Sequence, residues 1–266
     1  MSLQTLDKAK LLTSRPRISL IYGNTGVGKT VLCWTSVCAG YTPYFVTTEM
    51  KEIAEWMIDM VFDAGGHFAY ALTPKEWSDI FPALKAEKGK YDMLILDGMT
   101  AGIMGHLTRT LPGASNTQAV YGSNMSTVLT FMMGLQTLGI PVVLTALEKV
   151  DRLYSGGVTF GGQGNNENDR NETKSEKEKY MPNFPGQLET LVSGIGCDLV
   201  GRMTANGPTR TLLLEPSSMY FSRIPTGYSM KNIPKPTIHK LFEGVKGTPQ
   251  PRITAEETIK LLEGVR

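Results

Sequence analysis

The chain has 266 residues, a formal net charge of +2, a hydrophobic content of 41% and a charged content of 20%. These values are ordinary for a globular protein, and no apolar run is long enough to span a bilayer, so we expect no membrane partner. A net charge this small does not by itself indicate binding to nucleic acid. The N-terminus lacks the layout of a signal peptide and the three cysteines fit a reducing compartment, so we expect a cytoplasmic protein.

The length suits one large α/β domain, or a core with a small appendage. We therefore predict a lead-in over residues 1–14, a main domain over 15–245 and a C-terminal helical tail over 246–266. Threonine and glutamate stand three residues apart at Thr73-Pro74-Lys75-Glu76 and again at Thr254-Ala255-Glu256-Glu257. This is the spacing of a capping box, which predicts that a helix begins at each place.

A glycine-rich sequence runs from Gly23 to Thr30, after an apolar run at 17–22 and before another at 31–35. It has glycine, four free positions and then Gly-Lys-Thr, the pattern of a phosphate-binding loop. Backbone N–H groups of such a loop surround phosphate oxygens, Lys29 supplies a point charge and the Thr30 hydroxyl binds Mg²⁺. We therefore predict a strand, a loop and a helix that bind ATP and Mg²⁺, rather than a chance glycine-rich turn. The nucleotide-binding residues would be Gly23, Asn24, Thr25, Gly26, Val27, Gly28, Lys29, Thr30 and Val31.

β-Branched and aromatic residues dominate positions 43–48, which predicts a buried second strand. Glu49 follows at its carboxyl end, where open α/β sheets bind their ligands, so we propose Glu49 as the base that activates water. The alternative is a glutamate in the first turn of the next helix, where it would complement the helix dipole. Apolar residues at helical spacing predict that this helix has a core-facing stripe made of Ile53, Trp56, Met57 and Met60.

Residues 92–97 are an apolar run that ends in Asp97. This is the Walker B pattern, in which the aspartate holds Mg²⁺, usually through water. Alternatively, Asp97 only ends a strand and starts a turn, as Asp-Gly sequences often do. Because Gly98 follows Asp97, the sequence lacks an adjacent Asp-Glu pair, and the catalytic base must come from elsewhere.

Residues 101–124 are rich in glycine, threonine and asparagine, which predicts a mobile loop. A helix over 128–138 and a fourth strand over 140–145 would follow. Thr145 at the end of that strand would lie near the γ-phosphate as a catalytic sensor. Alternatively, Thr145 only ends the strand, because threonine is common in strands without any functional role.

The sequence from 152 to 184 is too polar to fold on itself, and we predict a mobile loop there. Its charges nearly cancel, so it is either a ligand-binding loop or a solvated insertion. Further strands over 191–203 and 210–215 would continue the sheet, with a turn at Asn206-Gly207. The basic run over 223–252 would contact phosphates of DNA or of a neighbour's nucleotide, or form a solvated face.

The phosphate loop, Glu49 at a strand end, Asp97 without a following glutamate, and Thr145 after the fourth strand occur in this order. In this arrangement the chain resembles the RecA-like ATPase core over residues 15–245, and in particular the small phage nucleotide-binding proteins related to Sak-type single-strand annealing recombinases. The resemblance implies an α/β fold, a RecA-like P-loop NTPase core with a mostly parallel sheet flanked by helices and antiparallel strands added toward the C-terminus. Two later sequences that also resemble the family are Pro182-Asn183-Phe184-Pro185-Gly186 and Cys197-Asp198-Leu199-Val200-Gly201-Arg202.

The resemblance also implies partners. Proteins of this kind use ATP to load on single-stranded DNA as rings or filaments, so we expect a homo-oligomer, possible contact with a single-strand DNA-binding protein and, if the chain is phage-encoded, a bacterial host cell. The DNA loops would be residues 109–124 and 152–184. Arg223, with Lys231 as the alternate, would reach the nucleotide of an adjacent subunit as a catalytic cation. Family members often carry a histidine just after the fourth strand, where this chain has Ala146-Leu147-Glu148.

The sequence thus predicts a Mg²⁺-dependent ATPase that acts on single-stranded DNA in recombination, repair or replication. One alternative is a nucleotide-gated assembly or scaffold protein with little turnover, which DNA-stimulated phosphate release would distinguish from the ATPase. A small-molecule kinase is disfavoured because the sequence has no evident arginine-rich lid.

Overall fold

A computed structural model describes residues 18–50, 52–153, 177–185, 188, 190–225, 231–243 and 248–264. Nine strands lie within these ranges and belong to one sheet. They are β1 (Ile18–Gly23), β2 (Pro43–Thr47), β3 (His67–Tyr70), β4 (Met93–Asp97), β5 (Val142–Leu153), β6 (Lys177–Pro182), β7 (Leu199–Asn206), β8 (Thr209–Leu213) and β9 (Ile233–Pro234).

The strand order is β3-β2-β4-β5-β1-β7-β8-β9, and β6 pairs with β5. Pairing is parallel from β3 to β7 and antiparallel between β7 and β8, β8 and β9, and β5 and β6. The predicted fold class is therefore confirmed: a RecA-like P-loop NTPase core with antiparallel strands toward the C-terminus. Strand β5 lies between the strand that enters the phosphate loop and the strand that ends in Asp97, and the carboxyl ends of all three meet at one edge.

Helices cover both faces of the sheet. Successive residues of each strand point to opposite sides, so both faces carry apolar side chains that pack against helices. Leu20 packs with Ile103 and Phe131, while Ile21 packs with Leu32 on the other face. The helices are α1 (Lys29–Cys38), α2 (Glu55–Asp63), α3 (Pro74–Trp77), α4 (Ile80–Ala86), α5 (Met99–Thr110), α6 (Thr117–Leu135), α7 (Ile238–Leu241) and α8 (Ala255–Gly264), with a 3₁₀ turn at Leu111–Gly113 and a π-helical segment at Thr190–Gly196.

Both predicted helix starts are capped by their threonine, but only the second is a complete capping box, because in the first Glu76 Oε2 accepts the Leu72 N–H and not the Thr73 N–H. Glu76 N donates to Thr73 Oγ1 at 3.3 Å and Glu257 N donates to Thr254 Oγ1 at 3.2 Å. In the second box Glu257 Oε2 also accepts the Thr254 N–H at 2.8 Å. The first cap opens α3, which ends at Trp77, so the helix that begins there is a single turn, and α4 follows as a separate helix.

The predicted mobile loop over 101–124 is wrong, because α5 and α6 occupy most of it. A Cβ on Gly102 would lie 2.6 Å from Trp77 Cζ2, so this glycine serves the packing of α5 against an indole and not a loop. The stretch 109–124, expected to face DNA, has only residues 114–116 between its helical segments.

The predicted loop over 152–184 is too wide at both ends. Strand β5 continues to Leu153 and pairs with β6, so Arg152 lies opposite Glu178. Residues 154–176 lie outside the described residues. The strand predicted over 191–203 is also partly wrong, because 190–196 is π-helical and β7 begins at Leu199. Among the helices that the structure describes, none combines the length and the apolar character needed to cross a bilayer.

Candidate nucleotide-binding and hydrolysis site

The phosphate loop joins β1 to α1, as the motif predicts. Every residue of β1 is buried, so the strand is a rigid support for the loop. Gly28 caps α1 with φ +94°, and a Cβ there would lie 2.6 Å from Arg210 Nε. A side chain would thus be strained by its backbone and blocked by the arginine, which explains why glycine stands at this position.

The Lys29 side chain reaches back across the phosphate loop that precedes it. Its Nζ donates to the carbonyl oxygens of Gly23 and Asn24, each at 2.8 Å. These two contacts place the ammonium beside the N-terminus of α1, where an anion gains from both the charge and the helix dipole.

Asp97 lies at the centre of a hydrogen-bonded cluster at the sheet edge. It is 1% exposed. Thr30 Oγ1 donates to Asp97 Oδ2 at 2.7 Å, and Thr145 Oγ1 donates to Asp97 Oδ1 at 2.6 Å. Thr145 Oγ1 also accepts the Gly98 N–H at 2.8 Å. Asp97 therefore does more than end a strand, since its two carboxylate oxygens join the phosphate-loop helix to β5.

This cluster has the chemistry of a magnesium site. Thr30 and Asp97 offer hydroxyl and carboxylate oxygens, the hard ligands that Mg²⁺ prefers, and only 2.7 Å separates Thr30 Oγ1 from Asp97 Oδ2. A hydroxyl that donates its proton still has lone pairs for a cation. The residues present therefore fit the ion: Thr30 would hold it directly and Asp97 would hold it directly or through water. When bound, Mg²⁺ neutralises phosphate charge.

Glu49 lies beside the same cluster. A Cβ built on Gly98 would be 2.8 Å from Glu49 Oε1, so the carboxylate is next to the residue that follows Asp97. Glu49 N is held by Thr47 Oγ1 at 3.3 Å. Helix α2 begins only at Glu55, so the interpretation of Glu49 as a first-turn residue is wrong. The position at the strand end supports its predicted role as the base, which remains a prediction.

A second polar cluster lies on the other face of β1. Arg202 Nε donates to Glu148 Oε2 at 2.9 Å, and its guanidinium is 3.5 Å from the centre of the Tyr180 ring. Tyr22 donates its hydroxyl to the carbonyl of Phe221 at 2.7 Å, and burial raises the pKa of this phenol, which keeps it a neutral donor. Glu148, three residues after Thr145 on β5, thus forms an ion pair that is mostly shielded from solvent.

Arg223 lies away from its own phosphate loop. The backbone of Arg223 pairs with Val200, and Val200 pairs with Leu20 of β1. Leu20 precedes Gly23 by three residues, so this pair lies about 10 Å from the phosphate loop along the strand. The side chain is exposed. Because this exposed side chain lies away from its own loop, its action on a neighbouring subunit's nucleotide stays a prediction. Within its own chain, the Arg223 charge partly offsets the rise that burial causes in the pKa of the Cys197 thiol.

The basic run over 223–252 is partly used within the fold. Arg252 donates to the carbonyls of Val37 and Tyr41, each at 3.1 Å, and Lys240 Nζ donates to the Pro234 carbonyl at 2.9 Å. These cations are therefore structural, which reduces the basic surface that the sequence predicted for phosphate contacts.

The sequence did not predict that Arg210 and Trp56 lie beside the phosphate loop. Arg210 on β8 donates from Nε to the Val27 carbonyl at 2.9 Å, so its guanidinium lies over the phosphate-loop backbone. Trp56 was predicted as part of a core stripe, but it is only half-buried and lines a cavity next to Gly28. The spacing of its helix does not distinguish these two environments, because the cavity is itself mostly apolar.

The chain is similar to known proteins over most of its length. The AAA domain family model matches residues 15–226. No curated protein matches the chain. One similar solved structure is the crystal structure of the KaiC-like protein PH0186 from the hyperthermophilic archaeon Pyrococcus horikoshii OT3. The two sequences are 15% identical, the match covers 82% of this chain and 84% of that one, and the TM-score is 0.45. Because the family match covers most of the sequence, the chain belongs to the AAA domain family of P-loop ATPases.

Proposed function

We propose that the protein hydrolyses ATP with Mg²⁺ at the edge of the sheet formed by the phosphate loop, Glu49 and Asp97. The observation that carries the proposal is the buried cluster in which Asp97 accepts hydrogen bonds from both Thr30 and Thr145. This cluster brings hard oxygen ligands next to a lysine that suits triphosphate, although its members come from distant parts of the sequence.

Each residue then has a distinct role. Lys29 offsets charge on the β- and γ-phosphates, while Thr30 and Asp97 would hold Mg²⁺, which would neutralise further phosphate charge. Glu49 accepts a proton from the attacking water, for which its carboxylate lies on the correct side of Asp97, next to Gly98. Thr145 fixes the orientation of the Asp97 carboxylate and so positions it for the metal.

We further propose that single-stranded DNA stimulates this hydrolysis and that the protein acts as a homo-oligomer in phage-type recombination, repair or replication. The resemblance to Sak-type recombinases supports this proposal. Connectivity supports it too, because β5 carries Thr145 and continues to Leu153, where the polar segment 154–176 begins. A partner that binds this segment would act on the strand that also orients Asp97.

The test measures ATP binding and phosphate release with and without single-stranded DNA. Lys29→Ala should remove binding or turnover. Glu49→Gln should bind ATP and slow hydrolysis by about 10²-fold or more, because an amide holds water without accepting its proton. Asp97→Asn should weaken Mg²⁺-dependent binding. The matched control is Glu52→Gln, an exposed carboxylate three residues beyond Glu49 that should keep full turnover.

The outcomes separate the candidates. Phosphate release that rises with DNA supports the whole proposal. Release that is insensitive to DNA leaves an ATPase and rejects the DNA role. ATP binding without release, in the parent as in Glu49→Gln, favours the scaffold protein. Unchanged ATP binding and hydrolysis in Lys29→Ala would remove the phosphate-loop assignment itself.

A further inference from the structure

A cavity of about 160 Å³ opens beside the phosphate loop, on the side of Arg210. Pockets that take a whole drug-sized ligand measure about 300–1,000 Å³, so this one suits a single ring system of a larger ligand. Two residues of its wall, Gly28 and Val31, belong to the predicted nucleotide-binding set. The other principal walls are Trp56, Arg210, Pro236 and Leu262.

The walls are chemically suited to a flat aromatic group. Trp56 presents an indole whose orientation is fixed by an edge contact with the fully buried Trp34, at 4.7 Å between ring centres. Pro236 and Leu262 add apolar surface, and Arg210 brings a planar cation to the same space. Indole and guanidinium planes are the groups on which nucleobases stack. A nucleotide whose phosphates lie in the loop therefore has a matching site for its base next to Gly28.

One wall of this cavity comes from the C-terminal helix α8, which lies beyond the residues that the family model matches. It supplies Ile259, Leu262 and Glu263. Helix α8 has ten residues, and Thr258 is its one fully buried member among those described. A helix this short is marginal in water without packing, so its docking is sensitive to any added contact.

A chain of contacts links α8 to the phosphate loop. Arg210 donates its Nε to the loop carbonyl of Val27, and its own carbonyl accepts the Lys235 N–H at 2.8 Å. Lys235 Nζ in turn pairs with Glu263 Oε1 at 2.8 Å. Lys235 has φ +45°, a left-handed conformation that is uncommon for a residue with a side chain. The cavity thus lies among elements whose positions depend on one another.

We propose that α8 is a working part of the nucleotide site: the cavity takes the nucleobase, and docked α8 and bound base stabilise each other. This inference rests on the proposed binding of nucleotide phosphates by the loop, and it adds the group that the C-terminal helix recognises. The ion pair between Lys235 and Glu263 is about half-exposed at both ends and contributes little, so the apolar contact of Leu262 carries most of the linkage.

The first experiment compares ATP with inorganic tripolyphosphate, which has the phosphates and no base, in direct binding assays on the full chain. Trp56→Ala should weaken ATP binding by about 10- to 100-fold, the range found for loss of a stacking aromatic, and leave tripolyphosphate binding within about 2-fold. The matched control is Phe62→Ala, an exposed aromatic on the same helix that lies outside the cavity. Equal weakening of both ligands, or of neither, would overturn the base site.

The second experiment tests α8 with adjacent leucines. Leu262→Ser removes a cavity wall and should weaken ATP binding at least about 10-fold with no change for tripolyphosphate, while Leu261→Ser, at an exposed position outside the cavity, should leave both unchanged. Equal ATP affinity in the two variants would reject the role of α8.

Hydrogen exchange of the unmodified chain provides a measurement that does not depend on a variant. ATP at 100 times its Kd should slow exchange of the α8 amides by up to about 100-fold, whereas saturating tripolyphosphate should not. The same protection with both ligands, or with neither, would overturn the linkage. Failure of the parent to bind either ligand would instead reject the proposed function of the phosphate loop.

Discussion

The hydroxyl of Thr145 is the group whose removal tests the Asp97 cluster most directly. It donates to Asp97 Oδ1 at 2.6 Å and accepts the Gly98 N–H at 2.8 Å, in a place where both Asp97 and Thr145 are 1% exposed. Thr145→Val keeps the volume and the branched shape but deletes both hydrogen bonds. Water cannot replace them at this depth without displacing neighbouring atoms.

The expected cost follows from the two lost bonds. A hydrogen bond to a charged group contributes about 1.5–3 kcal/mol, and a buried N–H left without a partner costs about 1–3 kcal/mol, so the free energy of unfolding should fall by about 3–5 kcal/mol. For a domain of this size such a loss lowers Tm by about 6–20 °C. The loosened Asp97 carboxylate should also weaken binding of Mg²⁺-ATP more than binding of metal-free ATP.

The assay is thermal unfolding of the parent, Thr145→Val and Thr145→Ser, together with ATP titrations with and without Mg²⁺. Serine keeps the hydroxyl and loses only a methyl group, so its Tm should lie within a few degrees of the parent and its Mg²⁺ dependence should be unchanged. Should valine melt at or above the serine variant, the hydroxyl would not be holding Asp97, and the assignment of the cluster as a metal-positioning unit would fail.

Three further predictions concern other parts of the site. Gly98→Ala should lower the free energy of unfolding by about 1–2 kcal/mol, because Gly98 has a left-handed backbone, and should slow hydrolysis at least 10-fold by displacing Glu49. The control Gly139→Ala, with φ +72° and open space around it, should show only the backbone cost in thermal unfolding. Mixing Arg223→Ala with Lys29→Ala subunits should restore part of the ATPase activity if the arginine acts across an interface; intact assembly without recovery would argue against it. Because burial raises the pKa of the Cys197 thiol, its reaction with a disulfide reagent at pH 8 should be negligible in the native protein and rapid in urea; fast native labelling would contradict the described packing.

Patterns that depend on a few adjacent residues predicted the structure well. The phosphate loop, the Asp97 strand and both threonine-capped helix starts each depend on chemistry within about eight residues, so their sequences carry the whole signal. A tight turn between β7 and β8 is confirmed, but it lies one residue later than predicted: Asn206 ends β7 opposite Thr209, and Gly207 and Pro208 form the turn.

Composition misled where tertiary packing decides the structure. Residues 101–124 contain many glycines, yet Met99, Ile103 and Leu107 recur every four residues and are buried, which is the period of a helix. The sequence does not show that Trp77 requires a glycine at position 102, because that contact joins two helices. Gly102 therefore reflects close packing between helices and not a flexible backbone.

Arg210 and Trp56 escaped prediction for a related reason. Arg210 stands 182 residues after Gly28 in the chain and reaches it only because β7 pairs with β1 and β8 folds back on β7. Trp56 belongs to an apolar stripe, and a wall of an apolar cavity has the same pattern as a core residue. A local motif gives no sign of either contact.

Strand β5 determines how a nucleotide at the loop could influence the hairpin that β5 forms with β6. It is hydrogen-bonded to β1 on one side and β4 on the other, so it cannot slide without breaking both ladders. Its odd and even residues face opposite sides of the sheet: Thr145 holds Asp97 on one face, and Glu148 holds Arg202 on the other. Arg202 in turn lies against Tyr180 of β6. The Tyr22 hydroxyl of β1 also donates to the Tyr180 carbonyl of β6, at 3.1 Å. The hairpin is therefore joined to two neighbouring strands by side-chain contacts at the strand ends, to β7 through Arg202 and, through Tyr22, to β1, the strand that enters the phosphate loop.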